Sequence, residues 1–101
     1  MDKYVVDAMV RNRLDILNRI TSLFIVKNLP VLSVVFTATE NNMAVINLIC
    51  LCPSEDIMKR IMNQANNFVD LSEIYYTKTY KTIKNNLSWQ KSILAVSRNR
   101  L

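Results

Sequence analysis

The sequence predicts an α+β domain in which a four-stranded antiparallel sheet carries two helices on one face. Three observations predict it. Strand-like and helix-like hydrophobic periods follow one another in the order βαββαβ between residues 3 and 77. Each change of period falls on Asn, Asp, Ser or Pro. The chain has 101 residues, half of them apolar, which fits one domain and excludes compositional disorder.

Lys3 to Val10 reads as the first strand, β-branched and apolar, with Tyr4, Val6, Ala8 and Val10 on one face. Asn12 to Asp15 is a polar break, and Asp15 is the expected N-cap of the first helix, its carboxylate facing the positive end of the dipole. Ile16, Leu17, Ile20, Leu23 and Phe24 then recur at helical spacing. Asn28 supplies a left-handed residue to end that helix, and Pro30 stops it. Val31 to Thr39 is the second strand. Glu40-Asn41-Asn42 is a turn without glycine, and Met43 to Cys52 is the third strand, apolar except for Asn47. Two strands so close in sequence should form a hairpin.

Pro53 and Ser54 break the pattern, and Ser54 followed by Glu55 and Asp56 is a helix start. Ile57, Met58, Ile61, Met62 and Ala65 form the second amphipathic face, ended by Asn66 and Asn67. Val69 to Thr77 is the fourth strand, alternating Leu71, Glu73 and Tyr75 against Ser72, Ile74 and Tyr76. This order is a split βαβ, or ferredoxin-like, arrangement. Right-handed crossovers put both helices on one sheet face and give the strand order 4-1-3-2. Apolar residues populate both faces of strands two and three, so another chain is expected against the uncovered face. The domain is assigned to residues 1–78, with a basic tail at 79–101.

The missing residue types narrow the chemistry. There is no histidine, hence neither the commonest general base nor the commonest metal ligand. There is no glycine, which excludes a phosphate-binding P-loop, a dinucleotide fingerprint and a nucleophile elbow. Twelve asparagines remain for left-handed positions. Cys50 and Cys52 share a strand face as two buried small hydrophobes, with no further ligand to complete a metal site. The acidic residues are scattered over loops and helix starts, and no pair is positioned as a carboxylate dyad. No catalytic residue and no bound metal or cofactor are expected.

Met1-Asp2-Lys3 lacks a signal-peptide pattern and no apolar run approaches the roughly 18 residues that span a bilayer, so a cytoplasmic protein without a membrane partner is expected. Net charge is +5, but residues 1–73 carry seven basic and eight acidic side chains. The excess lies in Lys78, Lys81, Lys84, Lys91, Arg98 and Arg100, which suit an acidic surface. RNA binding on the sheet needs stacking aromatics on the first and third strands, and those strands offer only Tyr4. Tyr75, Tyr76 and Tyr80 beside Lys78 and Lys81 read as a solvated edge strand before they read as a nucleic-acid surface.

Asn12-Arg13-Leu14-Asp15-Ile16-Leu17-Asn18-Arg19 resembles the N-x-x-G-x-L-x-R motif of ACT domains. The resemblance continues through Ile20-Thr21-Ser22-Leu23-Phe24, Val31-Leu32-Ser33-Val34 and Phe68-Val69-Asp70-Leu71. Over about residues 3–78 the chain is similar to the ACT domain of the small regulatory subunits of acetolactate synthase. The resemblance implies a homodimer joined through sheet edges and helices, and a catalytic subunit as partner. It also implies a branched-chain amino-acid effector, usually valine, at the dimer interface. The loop from strand one into helix one would hold the effector's charged groups, and the start of the neighbour's second strand would close the site.

On this sequence the effector-binding candidates are Asn12, Arg13, Leu14, Asp15, Ile16 and Leu17 on one side. Asn28, Pro30 and Val31 stand on the other. A helix N-terminus offers free N–H groups to a carboxylate, in keeping with that placement. Two positions depart from the motif. Its glycine is Asp15, whose carboxylate repels another and competes for the same N–H groups. The asparagine expected before strand two aligns with Pro30, which has neither an N–H nor a polar side chain. The expected function is a non-catalytic regulatory subunit that docks on a catalytic subunit, with weakened or lost effector binding. A free-standing ACT sensor for another ligand and a basic nucleic-acid-associated module are the alternatives.

Overall fold

The computed structural model describes residues 1–79. In chain order the elements are β1 (Asp2–Arg11), α1 (Leu14–Ile25), β2 (Val31–Ala38), β3 (Met43–Cys52), α2 (Glu55–Ala65) and β4 (Leu71–Thr79). The strands form one antiparallel sheet in the order β2-β3-β1-β4, as the crossover rule requires. Strand β4 runs one residue past the expected domain boundary, and the Thr79 hydroxyl donates to the Lys3 carbonyl at 3.0 Å. The basic segment from residue 80 onward lies outside the described residues.

Both helices lie on one sheet face over a single core. Tyr4, Val6, Ala8 and Val10 of β1 and Ala44, Ile46, Leu48, Cys50 and Cys52 of β3 point into it. Ile16, Ile20 and Phe24 of α1 and Met58, Ile61, Met62 and Ala65 of α2 meet them. Burying each of these larger side chains contributes roughly 1.5–3 kcal/mol. Helix α1 lies toward β2, and α2 lies toward β3 and β4. Tyr4 and Tyr76 pack edge to face, with ring centroids 5.8 Å apart.

Asparagine performs the turns that glycine would otherwise perform. Asn28 has φ 57° just after α1, and Asn41 and Asn42 have φ 61° and 60° in the β2–β3 turn. Two consecutive positive φ values match the twist of the hairpin, and the Met43 amide closes the turn on the Glu40 carbonyl at 3.3 Å. At the start of α2 the Ser54 hydroxyl accepts from the Ile57 amide at 3.4 Å, the expected cap.

Two expectations are corrected. Asp15 is not the N-cap: α1 begins at Leu14, two residues before the start that an Asp15 cap would give, Arg13 occupies the cap position, and no side-chain hydrogen bond caps the helix. Leu14 enters the first turn because the Arg13 amide bonds back to the Arg11 carbonyl at 2.7 Å and turns the chain early. In β4 the simple alternation fails. Leu71 pairs with Val10 and Glu73 with Met9, so Ser72 is an extra, bulged residue. The bulge puts Leu71 on the same face as Ile74 and Tyr76, all three packed against the core.

Candidate functional site

The pairing register sorts the loops into two groups. Arg11 lies opposite Met43, Ala38 opposite Ala44 and Val10 opposite Leu71, so the β1–α1 loop, the β2–β3 turn and the α2–β4 loop share one sheet end. They are tied together there. The Asn12 amide donates to the Asn42 carbonyl at 2.8 Å, and the Arg11 amide donates to the Asp70 carbonyl at 2.9 Å. Arg11 Nε also stands 3.7 Å from Asp70 Oδ1. The loop that opens α1 is therefore held on both sides while Asn12, Arg13 and Leu14 stay exposed.

Within that loop Arg13 Nε donates to Asp15 Oδ1 at 3.2 Å. Both side chains are solvated, so the pair contributes roughly 0–1 kcal/mol. Its importance is positional. The first-turn N–H groups of α1 have no side-chain cap, and the one carboxylate in that turn, Asp15, is already neutralised by Arg13. Ile16 is buried in the core, so only its backbone can reach a ligand, and Leu17 packs partly on the same core.

Asn28, Pro30 and Val31 lie at the opposite end. The Leu51 amide donates to the Pro30 carbonyl at 2.9 Å, and Val31 pairs with Cys50. Helix α1, twelve residues or about 18 Å long, separates the two groups of candidates. One chain thus does not bring together the residues that the motif resemblance assigns to one site. Asn28 is exposed and spent on the left-handed turn, and Pro30 presents no donor.

Three further features bear on function, and the second follows from the apolar residues on both faces of strand two. Asn47 Nδ2 donates to Asp7 Oδ1 across the two central strands, in the middle of the face without helices. The signal was present, since each is the polar residue in the middle of a mostly apolar strand. The second feature is the edge strand β2, which has no charged residue and exposes Leu32, Val34 and Val35. The third is the Tyr4 hydroxyl, buried with no hydrogen-bond partner among the described residues. Tyr4 faces the helices, so it cannot stack a base on the open face.

Burial dominates the titrations. The Cys50 thiol is pushed up to about 12, first by burial and then by the neighbouring Cys52. The Tyr4 and Tyr76 phenols are also raised, again chiefly by burial. These groups are held neutral inside the protein, the opposite of an activated nucleophile. No helix among the described residues is long and apolar enough to cross a membrane.

The four-stranded antiparallel sheet with two helices in βαββαβ order is the ferredoxin-like fold of ACT domains. No family model and no curated protein matches the chain. Among solved structures it is similar to the ACT domain of a GTP pyrophosphokinase from Chlorobium tepidum. The TM-score is 0.64 at 13% identity, over 76% of this chain and 100% of that one. The C-terminal domain of the MgtC protein from Mycobacterium tuberculosis gives a TM-score of 0.67 at 6% identity, over 78% of this chain and 88% of that one. An acetolactate synthase small subunit from Thermotoga maritima gives 0.63 at 14% identity. That match covers 83% of this chain and 51% of the subunit, so this chain spans about half its length. At such identities the likeness establishes the fold.

Proposed function

We propose that this chain is a non-catalytic regulatory module that works as a homodimer, and that its catalytic partner is an acetolactate synthase. The observation that carries the dimer is the edge strand β2. A protected edge carries charge, a proline or a covering loop; β2 from Val31 to Ala38 has no charge and no proline within it, and exposes three branched apolar side chains. The other edge, β4, carries Glu73 and Lys78.

Antiparallel pairing of two β2 strands about a two-fold axis extends the sheet across the dimer. With the pairing centred on Val34 and Val35, Val31 of the partner subunit falls opposite Ala38. That is the sheet end at which Asn12 to Asp15 open α1. The pairing therefore brings one chain's helix N-terminus toward the other chain's Asn28–Val31 segment, and completes from two copies what one copy keeps about 18 Å apart. The acetolactate synthase reading rests on the motif in 12–19 and on the fold likeness to a small subunit of that enzyme.

In this reading the chain regulates by binding one state of its catalytic partner better than another. In this reading Asp15, paired with Arg13 in the first turn of α1, stands beside the N–H groups that an effector carboxylate would meet. The native chain therefore activates its partner without sensing valine. Calorimetric titration with valine, leucine and isoleucine tests this. No heat is expected from the native chain, and measurable valine binding is expected from Asp15→Gly. Valine binding by the native chain would make it a feedback sensor, and binding of some other amino acid would favour the free-standing sensor.

A further inference from the structure

The face of the sheet opposite the helices is divided by charge. Its charged residues all stand on the two strands of one half: Lys3, Asp7 and Arg11 on β1, and Glu73 on β4. The other half has none. There β3, from Met43 to Leu51, shows only apolar residues and Asn47, and β2 shows Ser33, Val35 and Thr37. No element among the described residues packs against this face. Each half leaves one large apolar side chain uncovered: Tyr75 on β4 is 55% exposed and Val35 on β2 is 44% exposed.

We propose that this face packs on the same face of a second copy, about a two-fold axis that runs parallel to the strands between β1 and β3. The proposal is independent of the regulatory reading and of the edge pairing above. The axis lays β1 over the partner's β3 and β4 over the partner's β2, in the register of the sheet itself. Lys3 then meets the partner's Leu51, Arg11 the partner's Met43 and Glu73 the partner's Thr37, so no charge meets one of its own sign. Tyr75 and the partner's Val35, the two uncovered side chains, cover each other. The other in-plane axis, across the strands, would set Asp7 on Asp7 and Lys3 on Arg11, which like-charge repulsion disfavours.

The same register completes the polar centre. Asn47 Nδ2 donates to Asp7 Oδ1 within the chain, which leaves Asp7 Oδ2 and the second Nδ2 hydrogen of Asn47 without a hydrogen bond among the described residues. At the spacing of about 10 Å between packed sheets, these short side chains reach those of the second copy, each Asn47 donating to the partner's Asp7. Four strands about 4.8 Å apart and eight to ten residues long give a face of roughly 19 by 30 Å. An interface of standard size, about 800 Å² a side, needs the whole of it, and packing strand over strand uses the whole. The β2 edge pairing has its axis perpendicular to the sheet, at the sheet edge. The two axes do not meet, so the contacts close separate dimers, and the face-to-face dimer is a second state of the chain.

Spin labels on Thr77→Cys separate the two states. Thr77 is exposed on this face of β4, and the native thiols are buried. In the face-to-face dimer the labelled backbone sites stand about 18 Å apart, roughly three strand spacings along the sheet and one sheet spacing across. In the edge dimer they stand about 35 Å apart, roughly seven strand spacings. Pulsed dipolar electron resonance on the full chain should show the shorter distance, in a population that grows with concentration. Thr37→Glu, which sets a carboxylate over the partner's Glu73, should abolish it, and Thr37→Lys should retain it. Within one chain residues 37 and 73 lie about three strand spacings apart, so the sign of the charge reports the contact between copies. The longer distance alone would overturn the face contact and leave the edge pairing standing. Neither distance, with a monomer in sedimentation, would overturn both. A shorter distance that both Thr37 variants lose, or both keep, would overturn this axis and the proposal with it.

Discussion

Three asparagines carry backbone conformations that glycine usually carries. Asn28, Asn41 and Asn42 hold φ between 57° and 61°, where a Cβ is crowded but a short amide side chain is tolerated. Asn28→Gly should therefore leave stability within a few tenths of a kcal/mol, whereas Asn28→Val should cost about 1–2 kcal/mol, read from urea denaturation. Tyr4 gives a second test. Its buried hydroxyl has no partner among the described residues, so Tyr4→Phe should be neutral or stabilising by up to about 1 kcal/mol.

The thiols give a third residue-scale test. Cys50 and Cys52 are fully buried, and Cys50 ionises only near pH 12 in the folded protein against 9.0 for a free thiol. Neither should react with a disulfide reagent at pH 8 until the chain is unfolded. The folded state prefers the protonated thiol, so its contribution to stability is complete below pH 9 and is lost as pH rises toward about 12. The raised Tyr4 and Tyr76 phenols act in the same direction, and the urea midpoint should fall steadily above pH 9. At this scale the turn asparagines were legible because a chain without glycine leaves few residues for positive φ. The true N-cap was not. Arg13 has no capping side chain, and the helix starts there because of a backbone bond to Arg11, which no residue type announces.

At the scale of elements, periodicity identified all six, and the faces of β1, α1, β3 and α2 followed from it. Strand β4 shows where periodicity stops. One bulged residue, Ser72, reverses the facing of everything before it, and Leu71 lands in the core beside Ile74. A bulge is set by tertiary pairing, so the alternation of the strand alone misplaces Leu71. Strand β2 is the element on which the proposed association depends. Val35 lies on the open face near the middle of this edge and is 44% exposed. Val35→Lys would set two like charges close together across the proposed two-fold axis. That variant should sediment as a monomer at concentrations where the native chain is a dimer, with an unchanged far-ultraviolet circular dichroism spectrum.

At the scale of the whole molecule, the candidate site was legible as two segments but not as a place. The sequence resemblance singles out Asn12–Leu17 and, apart from them, Asn28, Pro30 and Val31, and α1 holds the two groups at opposite sheet ends. In the proposed dimer a second copy would reunite them, and an arrangement between chains leaves no periodic trace in one of them. The Asp7–Asn47 pair was hidden for a related reason: each is one polar residue in its own strand until the register sets them side by side. The fold itself is shared by proteins as different as a GTP pyrophosphokinase domain and a small subunit of acetolactate synthase, so partner assays must decide between roles. The most direct is acetolactate formation by the acetolactate synthase catalytic subunit of the same organism, measured with and without this chain. Severalfold activation is expected, saturating at one regulatory chain per catalytic chain and insensitive to added valine. Unchanged activity at every ratio, with no complex in sedimentation, would contradict it.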